Sequence, residues 1–150
     1  MNDPETSEIL LIEDNPHDAE LVIRALKKRN LANHIHHVED GVDALDFLFT
    51  RGKYAEQTPS ENLKVILLDI KLPRIDGLEV LKAIKTDKRT RSIPVVVMTS
   101  SAEELDIFQA YKLGANSFIT KPVEFDAFIE TISGVGAYWL MVNHPPQGGW

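Results

Sequence analysis

The chain is 150 residues long, 43% hydrophobic and 26% charged, has no cysteine, and carries a net charge of −7 from 16 basic and 23 acidic side chains. That composition excludes a wholly disordered chain, a disulfide scaffold, thiol catalysis and cysteine-ligated zinc, and an acidic chain of this kind is poorly suited to nucleic acid. No apolar run approaches the roughly 18 residues of a spanning helix and the start MNDPETSE is unlike a signal peptide, so a cytoplasmic protein without a membrane partner is expected.

Along the chain one theme recurs five times. The apolar run Ile9–Ile12 ends in Glu13-Asp14, and Ala19, Val22, Ile23 and Leu26 then mark one face of a helix that Asn15-Pro16 begins. A weaker strand at Ile35–Val38 precedes a helix with Val42, Leu45 and Phe49, and the polar stretch Thr50–Asn62 is expected to be an exposed loop. Val65–Leu68 is apolar throughout and ends in Asp69, as suits a central parallel strand covered on both faces. Gly77 opens a helix with Leu78, Leu81 and Ile84. Val95–Met98 ends in Thr99-Ser100-Ser101, and Leu105 and Phe108 mark a fourth helix closed by Gly114. Ser117–Thr120 ends at Lys121-Pro122, and Phe125, Phe128, Ile129 and Ile132 place a last helix. Five such units predict an α/β fold, a doubly wound parallel sheet of flavodoxin-like order 2-1-3-4-5, (βα)5. One domain is expected, with a core over about 8–135, an apolar tail over 136–150 and no output domain.

In such sheets ligands bind beyond the carboxyl ends of the strands, where the strand order reverses. Glu13 and Asp14 follow strand 1, Asp69 follows strand 3, Thr99 follows strand 4 and Lys121 follows strand 5. Taken singly, each is an ordinary helix cap or loop residue; the full set at successive strand ends is much harder to explain that way. Two carboxylates about 4 Å apart repel by about 4 kcal/mol at an effective dielectric of about 20, so a cation is expected among them, and an all-oxygen ligand set suits Mg²⁺. Asp69 is a carboxylate able to attack phosphorus, with Lys121 and the Thr99 hydroxyl placed to offset charge on the transferring oxygens.

The combination Glu13-Asp14, Asp69 within LLDIKLPRIDG, Thr99-Ser100 and Lys121-Pro122 resembles the receiver domain of two-component response regulators over about residues 8–135. The resemblance implies that Asp69 is the phosphoacceptor and that Glu13, Asp14, Asp69 and the main-chain carbonyl of Lys71 hold Mg²⁺. It also implies that Thr99 and Phe118 form the switch, that Lys121 binds phosphate, that the Lys121-Pro122 bond is cis, and that a Cβ at Gly77 would obstruct a turn. The protein would then be no turnover enzyme: it would accept a phosphoryl group from the phosphohistidine of a sensor kinase and signal through the helix 4–strand 5–helix 5 face. Lys71 stands where many receivers have a neutral polar residue; together with Ser101 it would flank the path of an attacking water unless it points to solvent.

Tyr138, Trp139, Leu140, Met141 and Val142 crowd together after the last unit with no evident place to be buried, and Gly134 and Gly136 are expected to loosen the helix there. This tail, the long loop after helix 2 and the IEDNPHDAEL start are similar to the small stand-alone regulators paired with phytochrome-type histidine kinases. That likeness implies a homodimer through helix 4, strand 5, helix 5 and the tail; the alternative is a tail folded back on its own domain. An aspartyl-phosphate hydrolase would want a second Asp at position 71, and a phosphorylation-independent binding module would not need the full residue set. A flavin module would need a phosphate-cradling loop after strand 1. His34, His36 and His37 fit a half-exposed edge strand better than a metal site, no nearby carboxylate being evident from spacing, and the basic cluster Lys82–Arg91 fits a solvated helix end.

Overall fold

The computed structural model describes residues 7–28, 30–31, 34–56, 62–99, 104–121 and 125–144. Ser100, Ser101 and the Lys121-Pro122 bond lie outside the described residues, as do the side chains of Leu105, Phe125, Phe128 and Ile129. The strands are β1 (Ile9–Ile12), β2 (Ile35–Val38), β3 (Val65–Leu68), β4 (Val95–Thr99) and β5 (Ser117–Thr120). The helices are α1 (Pro16–Lys27), α2 (Gly41–Leu48), α3 (Gly77–Thr86), α4 (Glu104–Lys112) and α5 (Phe125–Ala137). All five strands are parallel, in the order β2-β1-β3-β4-β5, as the alternating pattern predicts. No helix among the described residues is long and apolar enough to cross a membrane.

The sheet is apolar on both faces because helices cover both. Ile9, Leu11, Val65, Leu67, Val96 and Met98 face α1 and α5, while Leu10, Ile12, Ile66, Leu68, Val95 and Val97 face α2 and α3. Every residue of β1 and β3 is buried, so the polar groups that end these strands are anchored at the edge of a rigid core. Asn15 caps α1 by accepting from the amides of His17 and Asp18 at 2.9 and 3.1 Å, and Pro16 supplies the first turn.

Four local expectations are corrected by packing. The stretch Thr50–Asn62 is not simply an exposed loop: Gly52–Tyr54 forms a 3-10 turn that buries Tyr54. The Tyr54 hydroxyl lies 2.9 Å from His36 Nε2, and the His36 ring stacks on Phe47 at 4.5 Å. A carboxylate does stand beside His34, where Glu8 Oε1 lies 3.1 Å from Nδ1; β2 is nevertheless an edge strand, and its histidines have separate partners. Among the described side chains of α4 the one carried into the core is Ala110, whereas Phe108 is 64% exposed. Finally, Gly136 does not loosen α5: a Cβ there would stand 2.4 Å from Leu26 Cδ2, so its absence lets α5 lie against α1.

The tail divides. A π-helical turn over Tyr138–Val142 continues α5, with the Asn143 amide donating to the Tyr138 carbonyl at 2.7 Å. Trp139 and Leu140 are partly buried against the core on the α1–α5 side of the sheet, while Tyr138, Met141 and Val142 face outward. The tail thus finds cover for two of its side chains on its own domain.

At the opposite end of the sheet from the strand-end acids, Lys85 departs from the solvated helix end expected of the basic cluster. Its Nζ donates to the carbonyls of Arg91 (3.2 Å) and Ile93 (2.7 Å) and to Asn116 Oδ1 (3.0 Å), tying α3 to the segments that begin β4 and β5. Burial pulls its ammonium down from the ordinary 10.5 to about 8. Lys85→Met is expected to lower the unfolding free energy by about 2 kcal/mol at neutral pH, since three acceptors lose their donor. Between about 8 and 10.5 the folded lysine holds fewer protons than the unfolded one, so wild-type stability rises with pH over that window. Denaturant melts at several pH values should show this rise in the wild type and its loss in the variant.

Candidate functional site

The ends of β1, β3, β4 and β5 bring Glu13, Asp14, Asp69, Thr99 and Lys121 together. Glu13 extends β1: its amide donates to the Val38 carbonyl at 3.1 Å, and its own carbonyl accepts from His37 Nε2 at 2.8 Å. Asp69 extends β3, its amide bonded to the Ile12 carbonyl at 3.0 Å. The loop after it folds back so closely that a Cβ on Gly77 would lie 2.3 Å from Ile70 Cα and 2.6 Å from the Asp69 carbonyl oxygen, which is why the chain turns there on glycine. In the same loop Arg74 takes a positive φ of 68° and pairs with Asp40, the residue that caps α2.

Lys121 organises the charges. Its side chain is 8% exposed, and Nζ donates to Glu13 Oε1 at 2.6 Å, Asp18 Oδ2 at 2.8 Å and Asp69 Oδ2 at 2.9 Å. The Lys121 amide is held by the Thr99 carbonyl at 2.8 Å, so β4 aims the lysine at the acids. The other Asp69 oxygen accepts the Lys71 amide at 2.9 Å. Burial works against the Lys121 charge, but the hydrogen bonds it donates to the three carboxylates outweigh it and hold its pKa above the usual lysine value. Burial pushes the Glu13 carboxyl up to about 7, with the neighbouring Asp69 charge adding to the rise and Lys121 opposing it.

Glu13, Asp14 and Asp69 each present an oxygen within 4.8 Å of the others. Two of them are buried and Asp14 is exposed, leaving a path from solvent. Three converging carboxylates and no nitrogen or sulfur donor fit a hard divalent cation. Thr99 is buried at the end of β4, and Phe118, two pairs back along the β4–β5 ladder, is half-buried against the core on the α2–α3 side. The Lys71 side chain is 61% exposed and reaches only to 3.7 Å from Asp106 Oδ2 on α4.

Asp18 was not singled out from the sequence. An acid in the first turn of a helix reads as a favourable charge on the helix dipole, and only the packing of α1 against α5, which follows β5 and Lys121, shows it facing a lysine 103 residues away.

A family model described as the response regulator receiver domain matches residues 9–133. The probable methanogenesis regulatory protein FilR2 of Methanothrix harundinacea is 38% identical over 138 residues, covering 92% of this chain and 86% of that protein. Response regulator Rcp1 of Synechocystis is 39% identical over 132 residues, 88% of each chain, and the solved Mn²⁺-bound form of Rcp1 superposes with a TM-score of 0.83 over 93% of this chain and 98% of that one. The phosphorylated cyanobacterial phytochrome response regulator RcpA superposes with a TM-score of 0.85 at 37% identity, covering 94% and 99% of the two chains.

Removal of the ammonium tests the charge balance. In Lys121→Met the carboxylates of Glu13, Asp18 and Asp69 face one another without a cation, so the variant is expected to melt below the wild type in chelator. Saturating Mg²⁺ or Mn²⁺ should then raise its Tm by about 5 °C more than it raises that of the wild type. Equal responses in calorimetry would show that the ion and the lysine do not share these oxygens.

Proposed function

The chain belongs to the receiver-domain family of two-component response regulators, and on that premise we propose that it takes a phosphoryl group from the phosphohistidine of a sensor kinase onto Asp69. The observation that carries this reading is the buried Asp69 carboxylate, with one oxygen on the Lys71 amide and the other on the Lys121 ammonium. In the transfer the histidine N–P bond breaks, a bond forms between phosphorus and an Asp69 oxygen, and the imidazole leaves. The Lys121 ammonium, already 2.9 Å from Asp69, offsets charge on the phosphoryl oxygens, and the buried Thr99 hydroxyl is the donor at the end of the neighbouring strand.

Glu13, Asp14, Asp69 and the main-chain carbonyl of Lys71 would hold Mg²⁺, which when bound neutralises oxygen charge during phosphoryl transfer. The divalent ion in the Rcp1 structure supports this assignment. Receivers are signalling modules, and the output proposed here is a rearrangement in which Thr99 moves toward the phosphoryl group and Phe118 turns inward. That would reshape the face made by α4, β5 and α5. Similarity to the phytochrome response regulator RcpA supports a phytochrome-type kinase as the donor. Exposed Phe108 and Tyr111 on α4, with Tyr138, Met141 and Val142 on the terminal turn, support a second copy of the chain as one partner of this face; Trp139 and Leu140 would complete that interface from beneath.

Incubation with acetyl phosphate should give one phosphoryl adduct by intact mass in the presence of Mg²⁺. No adduct is expected without the ion or in Asp69→Asn; labelling of Asp69→Asn would remove Asp69 from its role. Met141→Glu should shift the chain from dimer to monomer in sedimentation velocity and leave labelling intact, and a monomeric wild type at tens of micromolar would exclude the dimer.

A further inference from the structure

The Lys121 ammonium has three N–H donors and three carboxylate partners, two of which have other work in phosphoryl transfer. Glu13 serves the divalent cation, and Asp69 becomes an acyl phosphate. Asp18 does neither. It is not one of the three carboxylates whose oxygens converge within 4.8 Å, and it approaches Lys121 from α1 with Oδ2 at 2.8 Å. The pair is largely shielded, the Lys121 side chain being 8% and that of Asp18 27% exposed, so it is held more firmly than a surface ion pair.

Helix formation gives Asp18 no competing duty. The start of α1 is already capped by the Asn15 side chain and begun by Pro16, and the Asp18 amide donates to Asn15 Oδ1 while its carboxylate turns toward Lys121. Lys71 does not stand in for the Lys121 ammonium: it is mostly exposed and leans toward Asp106 on α4.

We propose that Asp18 is a positioning residue for phosphoryl transfer: it is the one partner that stays with Lys121 while Glu13 and Asp69 change theirs, and it keeps the ammonium pointed at the phosphoryl oxygens. This inference rests on Asp69 as phosphoacceptor. Without Asp18, the ammonium settles more fully on Glu13 and Asp69, where it competes with the cation and reaches the phosphoryl group from a less defined position. Both cation affinity and labelling should therefore fall.

The test compares wild type, Asp18→Ala, Asp18→Asn and the Asp69→Asn blank in time courses of acetyl phosphate labelling by intact mass at several donor concentrations. Mg²⁺ affinity is measured separately by titration calorimetry on the unlabelled proteins. Asp18→Ala is expected to label about tenfold more slowly at saturating donor, the loss of one charge-assisted hydrogen bond, and to bind Mg²⁺ about threefold more weakly. Asp18→Asn, which keeps an acceptor oxygen at the same place, should fall between it and the wild type. A helix-end acid with no link to Lys121 would lower Tm alone. If both variants label and bind Mg²⁺ like the wild type, Asp18 does not position Lys121, whatever their stability. A wild type that gains no adduct would overturn the phosphoacceptor reading and this inference with it, whereas a labelled wild type with unaffected variants overturns only the role of Asp18.

Discussion

One ammonium group held by three carboxylates is the contact on which the carboxyl end of this sheet depends. Glu13 and Asp69 sit at the ends of strands with no exposed residue, so neither can relieve its charge by swinging into water. Acids this close repel by several kcal/mol in a medium of intermediate dielectric, on the order of 4 kcal/mol per pair at about 4 Å. Lys121 supplies the missing positive charge from β5, with the Thr99 carbonyl fixing its backbone. The cluster is therefore ready for a further cation or for an anionic group, either of which only redistributes bonds already present. A site assembled this way needs little rearrangement to begin its chemistry.

Everything beneath that cluster serves to hold it still. The central strands β1, β3 and β4 are four or five residues long and apolar up to Thr99 at the very end of β4, which leaves no polar side chain beneath the cluster to compete for the acids above. Tight turns finish the placement: glycine at position 77 lets the loop after Asp69 close against its own backbone, and Arg74 on Asp40 ties that loop to α2. At the other end of the sheet Lys85 makes a comparable tie between α3, β4 and β5 using neutral acceptors, so the two lysines brace opposite rims of one scaffold.

The three central strands were legible because a parallel sheet covered on both faces leaves continuous apolar runs, and each of these runs stops at a charged or hydroxyl residue. For the same reason Glu13, Asp14, Asp69, Thr99 and Lys121 could be read as one constellation. What stayed hidden depends on contacts that no local period reports. Tyr54 lies in a polar stretch and is buried only because His36 and Phe47 offer it a pocket. Phe108 looks like the buried marker of α4, yet the smaller Ala110 takes that place and leaves the ring outside. Asp18 carries the ordinary signature of a helix start, and its meeting with Lys121 is decided by how α1 lies against α5.

That placement of α1 leads back to a missing methyl group. Gly136 lets α5 rest directly on Leu26, and the neighbouring Ser133 hydroxyl donates to the Ala25 carbonyl at 2.7 Å, so the two helices touch through small residues. Lys121 lies just ahead of α5, and Asp18 belongs to α1. The gap between these helices is consequently the ruler for the Asp18–Lys121 bond. A larger side chain at 136 would act as a wedge at the far end of that ruler, altering the charge cluster without touching any member of it.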